Sequence, residues 1–210
     1  MKVFIYAVPG LADWEIAYVT TGITGKRYFR DQNLAVDIVW LGDTRDPVTT
    51  MGGLTIRPDV SIREAKLAAE DLLILPGSDI WLAGPRPEII EVAKDRIVRG
   101  LPVAAICAAT VALAQAGALD AVRHTSNDKG FLKQCCPAYR GEARYVEAPA
   151  VADSNVITAE GIAPIEFAYE VFKAIGAFDP ETLSAWRDLN VTKEARYFFA
   201  LMESMQAKRA

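Results

Sequence analysis

Four continuous apolar runs, separated by segments with helical periodicity, constrain the fold of this chain more than any other feature of its sequence. The runs lie near residues 3–8, 36–41, 72–76 and 103–106, and the helical segments lie near 14–29, 88–98 and 108–116. Strands that are apolar on both faces are typical of parallel sheets covered by helices on both sides. The alternation therefore predicts right-handed βαβ units and a doubly wound α/β fold.

Two pairs of shorter β-prone segments interrupt this rhythm. Gly52-Gly53 divides two short runs between residues 47 and 62, which predicts a hairpin beside the sheet. A second pair of strands is predicted over 144–151 and 156–159, with a polar turn between them.

The chain is long enough to form one sizeable core. It has 210 residues, of which 51% are hydrophobic, and a chain of this length does not require a second domain. We expect one α/β domain over residues 1–176. Two amphipathic segments follow it, and we expect a helical extension over 177–210 that packs on the core or on a partner subunit.

Charge and apolar runs exclude several classes of function. Lys and Arg total 23 against 27 Asp and Glu, a net charge of −4 with both signs mixed along the chain, so no basic stripe favours nucleic acid. No segment approaches the roughly 20 apolar residues of a membrane span. The first apolar run is too short for a signal peptide and is better explained as a strand. We expect no nucleic acid or membrane partner, and a small-molecule substrate.

The chain contains three cysteines, Cys107, Cys135 and Cys136. Their number is odd and their spacing is not that of a metal site, which favours a reducing cytoplasm over a disulfide framework. The adjacent pair is typical of two small residues on a helix, with a redox role as the alternative.

Cys107 stands where the fourth apolar run meets an alanine-rich helix, in the segment VAAICAAT over residues 103–110. A side chain on such a turn projects beyond the carboxyl end of its strand, beside the positive end of the helix dipole. We therefore expect an acidic, reactive thiol on a nucleophile elbow. The alternative is a small core residue without chemistry.

Two further loops at carboxyl ends of predicted strands carry candidate partners for the thiol. In the first, Asp13 is suited to cap the following helix, whereas Glu15 points inward, where burial raises its pKa and lets it donate a proton to the sulfur. In the second, Gly77 permits an unusual turn, and the amides of Gly77 and Ser78, with that of Ala108, are candidates for an oxyanion hole. The alternative for Glu15 is an ordinary solvated glutamate.

The order and spacing of four segments resemble the ThiJ/PfpI family of the class I glutamine amidotransferase-like superfamily. The segments are GLADWE at 10–15, LILPG at 73–77, AAICAA at 104–109 and ITAEG at 157–161. The resemblance spans about residues 1–175. It implies a flavodoxin-like three-layer α/β/α sandwich with a mostly parallel sheet, usually dimeric, with a reactive Cys107, Glu15 as its partner and Gly77 and Ser78 at the oxyanion loop. Family members include proteases, amidase-like enzymes, chaperones, cofactor-independent glyoxalases and stress sensors, so membership does not choose a reaction.

The sequence departs from many catalytic relatives at the third site position. If the strand after the elbow helix ends at Thr125-Ser126, that position falls on Asn127, and His124, the single histidine, lies inside the strand. The alternative register brings His124 to the sulfur. Without a histidine, addition to an aldehyde is better supported than peptide cleavage.

Two hypotheses about function follow. In the first, the Cys107 thiolate attacks an electrophilic carbon of a small dicarbonyl or amide, as in a glyoxalase, deglycase, amidase or hydrolase. In the second, the chain is a non-catalytic oxidative-stress sensor or chaperone that uses the same cysteine. A weaker third hypothesis is an interaction module with an inert Cys107. We expect no metal and no cofactor, because the sequence lacks a phosphate-binding fingerprint and a set of metal ligands.

Overall fold

A seven-stranded sheet with helices on both faces forms the protein. The computed structural model describes residues 1–83 and 88–206. Its strands are β1 (Lys2–Tyr6), β2 (Asp37–Gly42), β3 (Val48–Thr49), β4 (Thr55–Ile56), β5 (Val60–Ser61), β6 (Leu72–Leu75), β7 (Val103–Ile106), β8 (Ala150–Asp153) and β9 (Val156–Ala159). Its α-helices are α1 (Asp13–Gly25), α2 (Glu88–Val98), α3 (Ala108–Gln115), α4 (Lys129–Cys135), α5 (Pro164–Ala174), α6 (Pro180–Thr192) and α7 (Ala195–Gln206).

The strand order in the sheet is β5-β2-β1-β6-β7-β9-β8, and every neighbouring pair is parallel except β9 with β8. The residues of β6 and β7 are all buried, because α1 and α5 pack on one side of the sheet and α2, α3 and α4 on the other. The predicted flavodoxin-like three-layer sandwich is confirmed.

The carboxyl ends of the central strands meet at one edge of the sheet. In register, Leu75 of β6 lies beside Ala105 of β7, and Ile106 lies beside Ala159 of β9. The residues that follow these three strands are therefore neighbours, although the sequence separates them by about 30 residues or more. This edge is where ligands bind in doubly wound folds.

Two predicted boundaries differ from the structure. Helix α1 ends at Gly25 rather than near residue 29, because Lys26 adopts a left-handed conformation with φ of 49°. The second predicted strand pair begins only at Ala150, since Glu142–Arg144 is a 3-10 helix. Pro149, which has no amide proton, immediately precedes the strand. The first predicted hairpin is confirmed as the antiparallel pair β3 and β4.

The C-terminal helices continue the core of the same chain. Trp186 of α6 is buried, and its ring centroid lies 5.3 Å from that of Phe172 and 5.9 Å from that of Tyr18. The last residues of the predicted extension, 207–210, lie outside the described residues. None of the described helices is both long and apolar enough to span a bilayer.

Candidate active site

The backbone of Cys107 is strained at the turn from β7 into α3, where the sequence predicts an elbow. Cys107 lies between β7 and α3 with φ of 60° and ψ of −134°, a region that costs a residue other than glycine about 1–3 kcal/mol. The Cys107 amide donates to the Ala159 carbonyl at 2.9 Å, and the Cys107 carbonyl accepts from the Thr110 hydroxyl at 2.6 Å. These bonds from the neighbouring strand and from α3 hold the strained turn, so the sulfur is presented at the sheet edge.

Glu15 is fully buried beside this turn. Its Oε2 accepts a hydrogen bond of 2.6 Å from the Gly77 amide. Its Oε1 has no hydrogen-bond partner within residues 1–83 and 88–206. Burial raises the pKa of Glu15 to about 7, while the Gly77 amide and the Cys107 side chain oppose the shift. The inward position and the raised pKa are as predicted from the sequence, and both oxygens are directed at the elbow and the loop opposite it.

Two glycines let the carboxyl and the thiol approach each other. A Cβ atom placed on Gly77 would lie 2.6 Å from both Glu15 oxygens and 2.7 Å from the Cβ of Cys107. A Cβ atom on Gly161 would lie 2.7 Å from the Cys107 Sγ and 3.2 Å from Glu15 Oε1. Real Cβ contacts are not this short, so a larger residue at either position requires Glu15 or Cys107 to move.

The prediction of an acidic thiol is wrong for the resting site. Burial raises the pKa of Cys107 to about 11, and the negative charge of Glu15 adds to the shift. Hydrogen bonds from Asn127 and from the Ala108 amide oppose it. The short helix α3 does not compensate for removing the thiolate from water next to a carboxylate. The pair therefore carries one proton above the pKa of Glu15, and the position of that proton decides whether a thiolate is present.

Asn127 occupies the third site position. Its Nδ2 donates to the Cys107 Sγ at 3.3 Å, and its Oδ1 accepts from the Gly161 amide at 2.8 Å. The second bond fixes which end of the carboxamide faces the sulfur. Asn127 thus supplies a neutral donor where a histidine would supply a base.

His124 lies away from the sulfur, inside the fold. Its Nδ1 is 2.8 Å from the Val122 carbonyl oxygen, and its Nε2 is 2.5 Å from the Tyr139 hydroxyl. A carbonyl oxygen only accepts, so Nδ1 carries the proton and Nε2 accepts from Tyr139. Burial lowers the pKa of His124, which keeps the ring neutral. His124 is therefore a structural residue, and the alternative register that placed it at the sulfur is wrong.

The predicted oxyanion loop is only partly available. The Gly77 amide donates to Glu15, so it does not face the site, and the prediction for this residue is wrong. The buried hydroxyl of Ser78 donates to the Pro9 carbonyl at 2.7 Å, which ties together the loops after β1 and β6. The Ala108 amide lies against the sulfur. The donors that the structure places against the sulfur are the Ala108 amide and the Asn127 carboxamide.

The prediction that Asp13 caps helix α1 is wrong. Ala12 stands at the N-cap, and Asp13 is the first helical residue. The Asp13 carboxylate instead accepts from the Gly52 amide at 2.6 Å. It holds the β3 and β4 hairpin against the loop that leads to Glu15.

The sulfur opens into a cavity of about 310 Å³, which is lined by Trp14, Cys107, Asn127, Glu160, Gly161 and Ile162. Trp14 and Ile162 flank it with side chains that are 49% and 89% exposed. The Trp14 indole donates to the Gly161 carbonyl at 3.0 Å, which fixes one wall. A cavity of about 360 Å³ lies at the opposite edge of the sheet, near Leu72 and Pro102, and no cysteine lines it.

Cys135 and Cys136 lie at the end of α4, and the described residues contain no disulfide. The Cys136 sulfur is 3.5 Å from the Val111 carbonyl oxygen, within the core. Within the described ranges, no three His, Cys, Asp or Glu side chains cluster as metal ligands.

Sequence reasoning did not assign roles to Gly161, Glu160 and Trp14. Gly161 follows β9 just as Gly77 follows β6, and this shared position after a buried strand was the available signal. Glu160 belongs to the segment ITAEG that resembles the family, but the sequence gives it no role, because its place beside the sulfur depends on the pairing of β7 with β9.

Comparison of the sequence with models of known protein families identifies the family of this chain. A model of the DJ-1/PfpI family matches residues 1–174. The chain belongs to this family. The match includes the elbow, the loop with Glu15 and the position of Asn127, so the predicted family is confirmed.

Relatives within the DJ-1/PfpI family carry names of different activities. The Bacillus subtilis (strain 168) protein named uncharacterized protease YoaZ is 41% identical over 204 residues, which are 97% of each chain. The Caenorhabditis elegans protein named glutathione-independent glyoxalase DJR-1.2 is 28% identical over 67% of this chain and 74% of its own length. The family alone does not select between such reactions.

Two solved DJ-1/PfpI structures have the same fold. The thiJ/pfpI family protein from Bacillus anthracis is 43% identical, with a TM-score of 0.92 over 97% of this chain and 96% of that one. The DJ-1 superfamily protein Atu0886 from Agrobacterium tumefaciens is 35% identical, with a TM-score of 0.79 over 92% of this chain and all of that one. Both matches extend beyond residue 174, so they include C-terminal helices.

Proposed function

We propose that this protein is a cofactor-independent enzyme in which Cys107 attacks the electrophilic carbon of a small substrate. The observation that carries the proposal is the buried Glu15 carboxyl group beside a thiol that is held on a strained elbow at an open cavity. A solvated glutamate would not be placed to exchange a proton with the thiol, and a cysteine in the middle of the core would not reach a substrate. The named activities of relatives support the same class of chemistry.

Glu15 acts as the proton carrier of the site. Above pH of about 7 its carboxylate is ionised and takes the thiol proton as the sulfur attacks. The high pKa of Cys107 makes its thiolate a strong nucleophile once it forms, since nucleophilicity rises with thiol basicity. Because the proton only moves from Cys107 to Glu15, the site keeps a single negative charge during the attack, and no further charge has to be buried.

A reactive dicarbonyl is the substrate class that suits this site best. The sulfur bonds to the aldehyde carbon, the carbonyl electrons move to the oxygen, and the Ala108 amide and the Asn127 carboxamide stabilise it. Glu15 returns its proton to that oxygen, which gives a hemithioacetal. A proton shift between the two carbons yields a hydroxy thioester, and water releases a hydroxy acid and restores the thiol.

An amide substrate is supported less well. Breaking a C–N bond requires a proton for the leaving amine. His124, which would supply it in a cysteine hydrolase, has both ring nitrogens engaged elsewhere. Glu15 alone would have to serve the thiol and the amine in turn.

The test is a substrate panel of dicarbonyls, simple aldehydes and small amides. We expect turnover of dicarbonyls by the native protein and by a Cys135→Ser control, and none by Cys107→Ser. If the native protein and Cys107→Ser give the same rates across the panel, the proposal is refuted. If the native protein turns over no compound of the panel but mild peroxide oxidises Cys107 selectively, the sensor or chaperone alternative is supported instead.

We further propose that the protein is a homodimer, as the family resemblance implies, and that it is cytoplasmic, as the odd number and the spacing of its cysteines indicate. Phe198 and Phe199 on α7 support an interface, because these adjacent apolar side chains are 47% and 62% exposed. Neighbouring exposed apolar side chains favour contact with another surface. Light scattering on the native protein should give twice the chain mass of 22.9 kDa. A mass equal to one chain would refute the dimer.

A further inference from the structure

Glu160 lies beside the nucleophile at the carboxyl edge of the sheet. Because Ile106 pairs with Ala159 in the parallel register of β7 and β9, Cys107 and Glu160 are the next residues of the two strands. The Glu160 amide donates to the Pro149 carbonyl at 3.0 Å, and the Glu160 carbonyl accepts from the Ala163 amide. These bonds hold its backbone, and Glu160 is one of the residues that line the cavity of Cys107.

Glu160 is the sole charged residue among the described residues that line this cavity. Burial and the charges of Glu147 and Glu166 raise the pKa of Glu160, so the three carboxylates are close enough to act together. Glu147 and Glu160 form no ion pair with a described residue. Glu166 also lies near Arg187, whose charge offsets part of its effect.

A second negative group lies beneath the sulfur. Glu15 Oε1 is fully buried and has no hydrogen-bond partner in the described part of the chain. It lies 3.2 Å from the Cβ position of Gly161, a residue that lines the cavity. Trp14 forms another wall, and an indole ring attracts cations over its face. The groups around the sulfur therefore favour positive charge and repel negative charge.

We propose that Glu160 makes the Cys107 cavity selective for electrophiles that carry a positive charge, such as an aldehyde bearing an ammonium group, over electrophiles that carry a carboxylate or phosphate. The inference rests on the proposed function and names the substrate class of the same site. Neutral electrophiles react at an intermediate rate. Glu160 is a specificity residue here, and it takes no part in bond making.

The test uses two methanethiosulfonate reagents of similar size, one with a trimethylammonium group and one with a sulfonate group. The rate of modification is measured at each cysteine by peptide mass spectrometry, for the native protein, for Glu160→Gln and for Glu181→Gln. Glu181 provides the matched control, because it is an exposed carboxylate in the first turn of α6. The half-buried Cys135 provides an internal reference in every sample.

We expect the cationic reagent to react faster at Cys107, and the ratio of the two rates to fall roughly tenfold in Glu160→Gln, since the lost charge changes the two rates in opposite directions. The ratio should fall in the native protein at about 1 M salt, where the screening length is about 3 Å. It should be unchanged in Glu181→Gln. An equal ratio in the native protein and in Glu160→Gln would overturn the inference.

Reagent modification and dicarbonyl turnover together distinguish failure of this inference from failure of the proposed function. Modification by these reagents requires only an accessible sulfur and no turnover. Dicarbonyl turnover without the charge preference would overturn the selectivity alone, whereas the charge preference without turnover would overturn the catalytic proposal. A Cys107 that neither reagent modifies in the folded protein would overturn both.

Discussion

Replacing Glu15 by Gln should remove a defined pH dependence from the stability of the fold. Burial raises the pKa of Glu15 from 4.5 to about 7, so the folded protein holds this proton over a pH range in which the unfolded chain has lost it. The stabilisation is complete below the unfolded pKa and is lost as the pH rises through the folded value. A shift of this size corresponds to about 3 kcal/mol, most of which falls between pH 5 and pH 8.

The assay is urea unfolding followed by circular dichroism at pH 5 and pH 8. The difference in unfolding free energy between Glu15→Gln and the native protein should change by about 2–3 kcal/mol in favour of the variant as the pH rises. Titrating groups that do not contact Glu15 are common to both proteins and cancel. Glu91→Gln, an exposed position on α2, should show no such change. Parallel pH dependences for Glu15→Gln and the native protein would refute a buried, protonatable Glu15.

Three further variants or treatments test the site. Gly161→Ala should abolish alkylation of Cys107 in the folded protein and destabilise it by about 1–3 kcal/mol, whereas Gly25→Ala, whose Cβ would meet no atom within 4 Å, should do neither, as unfolding and alkylation assays would report. Asn127→Ala should reduce turnover roughly 100-fold if the carboxamide stabilises the oxyanion, and a change in KM alone would contradict that role. Mild peroxide should oxidise Cys107 before Cys135 by mass spectrometry, and equal oxidation would count against a distinctive Cys107 environment.

The fold was predictable because its determinants are local. The apolar runs that form β1, β2, β6 and β7 are continuous, and the small residues after Cys107 begin a helix at once. The second strand pair was less predictable, since the β-prone residues before Ala150 form a 3-10 helix and a single bridge between His124 and Tyr145. Propensity does not report where a strand finds a partner.

The residues of the site could be predicted from the sequence, but the pKa of the Cys107 thiol could not. The inward position of Glu15 followed from its place after the first strand, whereas the proximity of Asn127 to the sulfur followed from the resemblance to catalytic relatives with a histidine there. The pKa of Cys107 did not follow, because it depends on the burial of the sulfur and on the carboxylate next to it, and neither is visible in the sequence. The Gly77 amide was assigned to an oxyanion although the structure gives it to Glu15.

The pH dependence of Cys107 alkylation tests the coupling of Cys107 to Glu15 most directly. Peptide mass spectrometry on the native protein and on Glu15→Gln would give the rate at each pH. The account predicts an inflection near the Glu15 value of about 7 in the native protein, where the pair loses its first proton. It predicts no inflection there in Glu15→Gln, and a thiol pKa below the native value because the carboxylate charge is gone. Profiles of the same shape in both proteins, or a Cys107 that reacts only after unfolding, would contradict it.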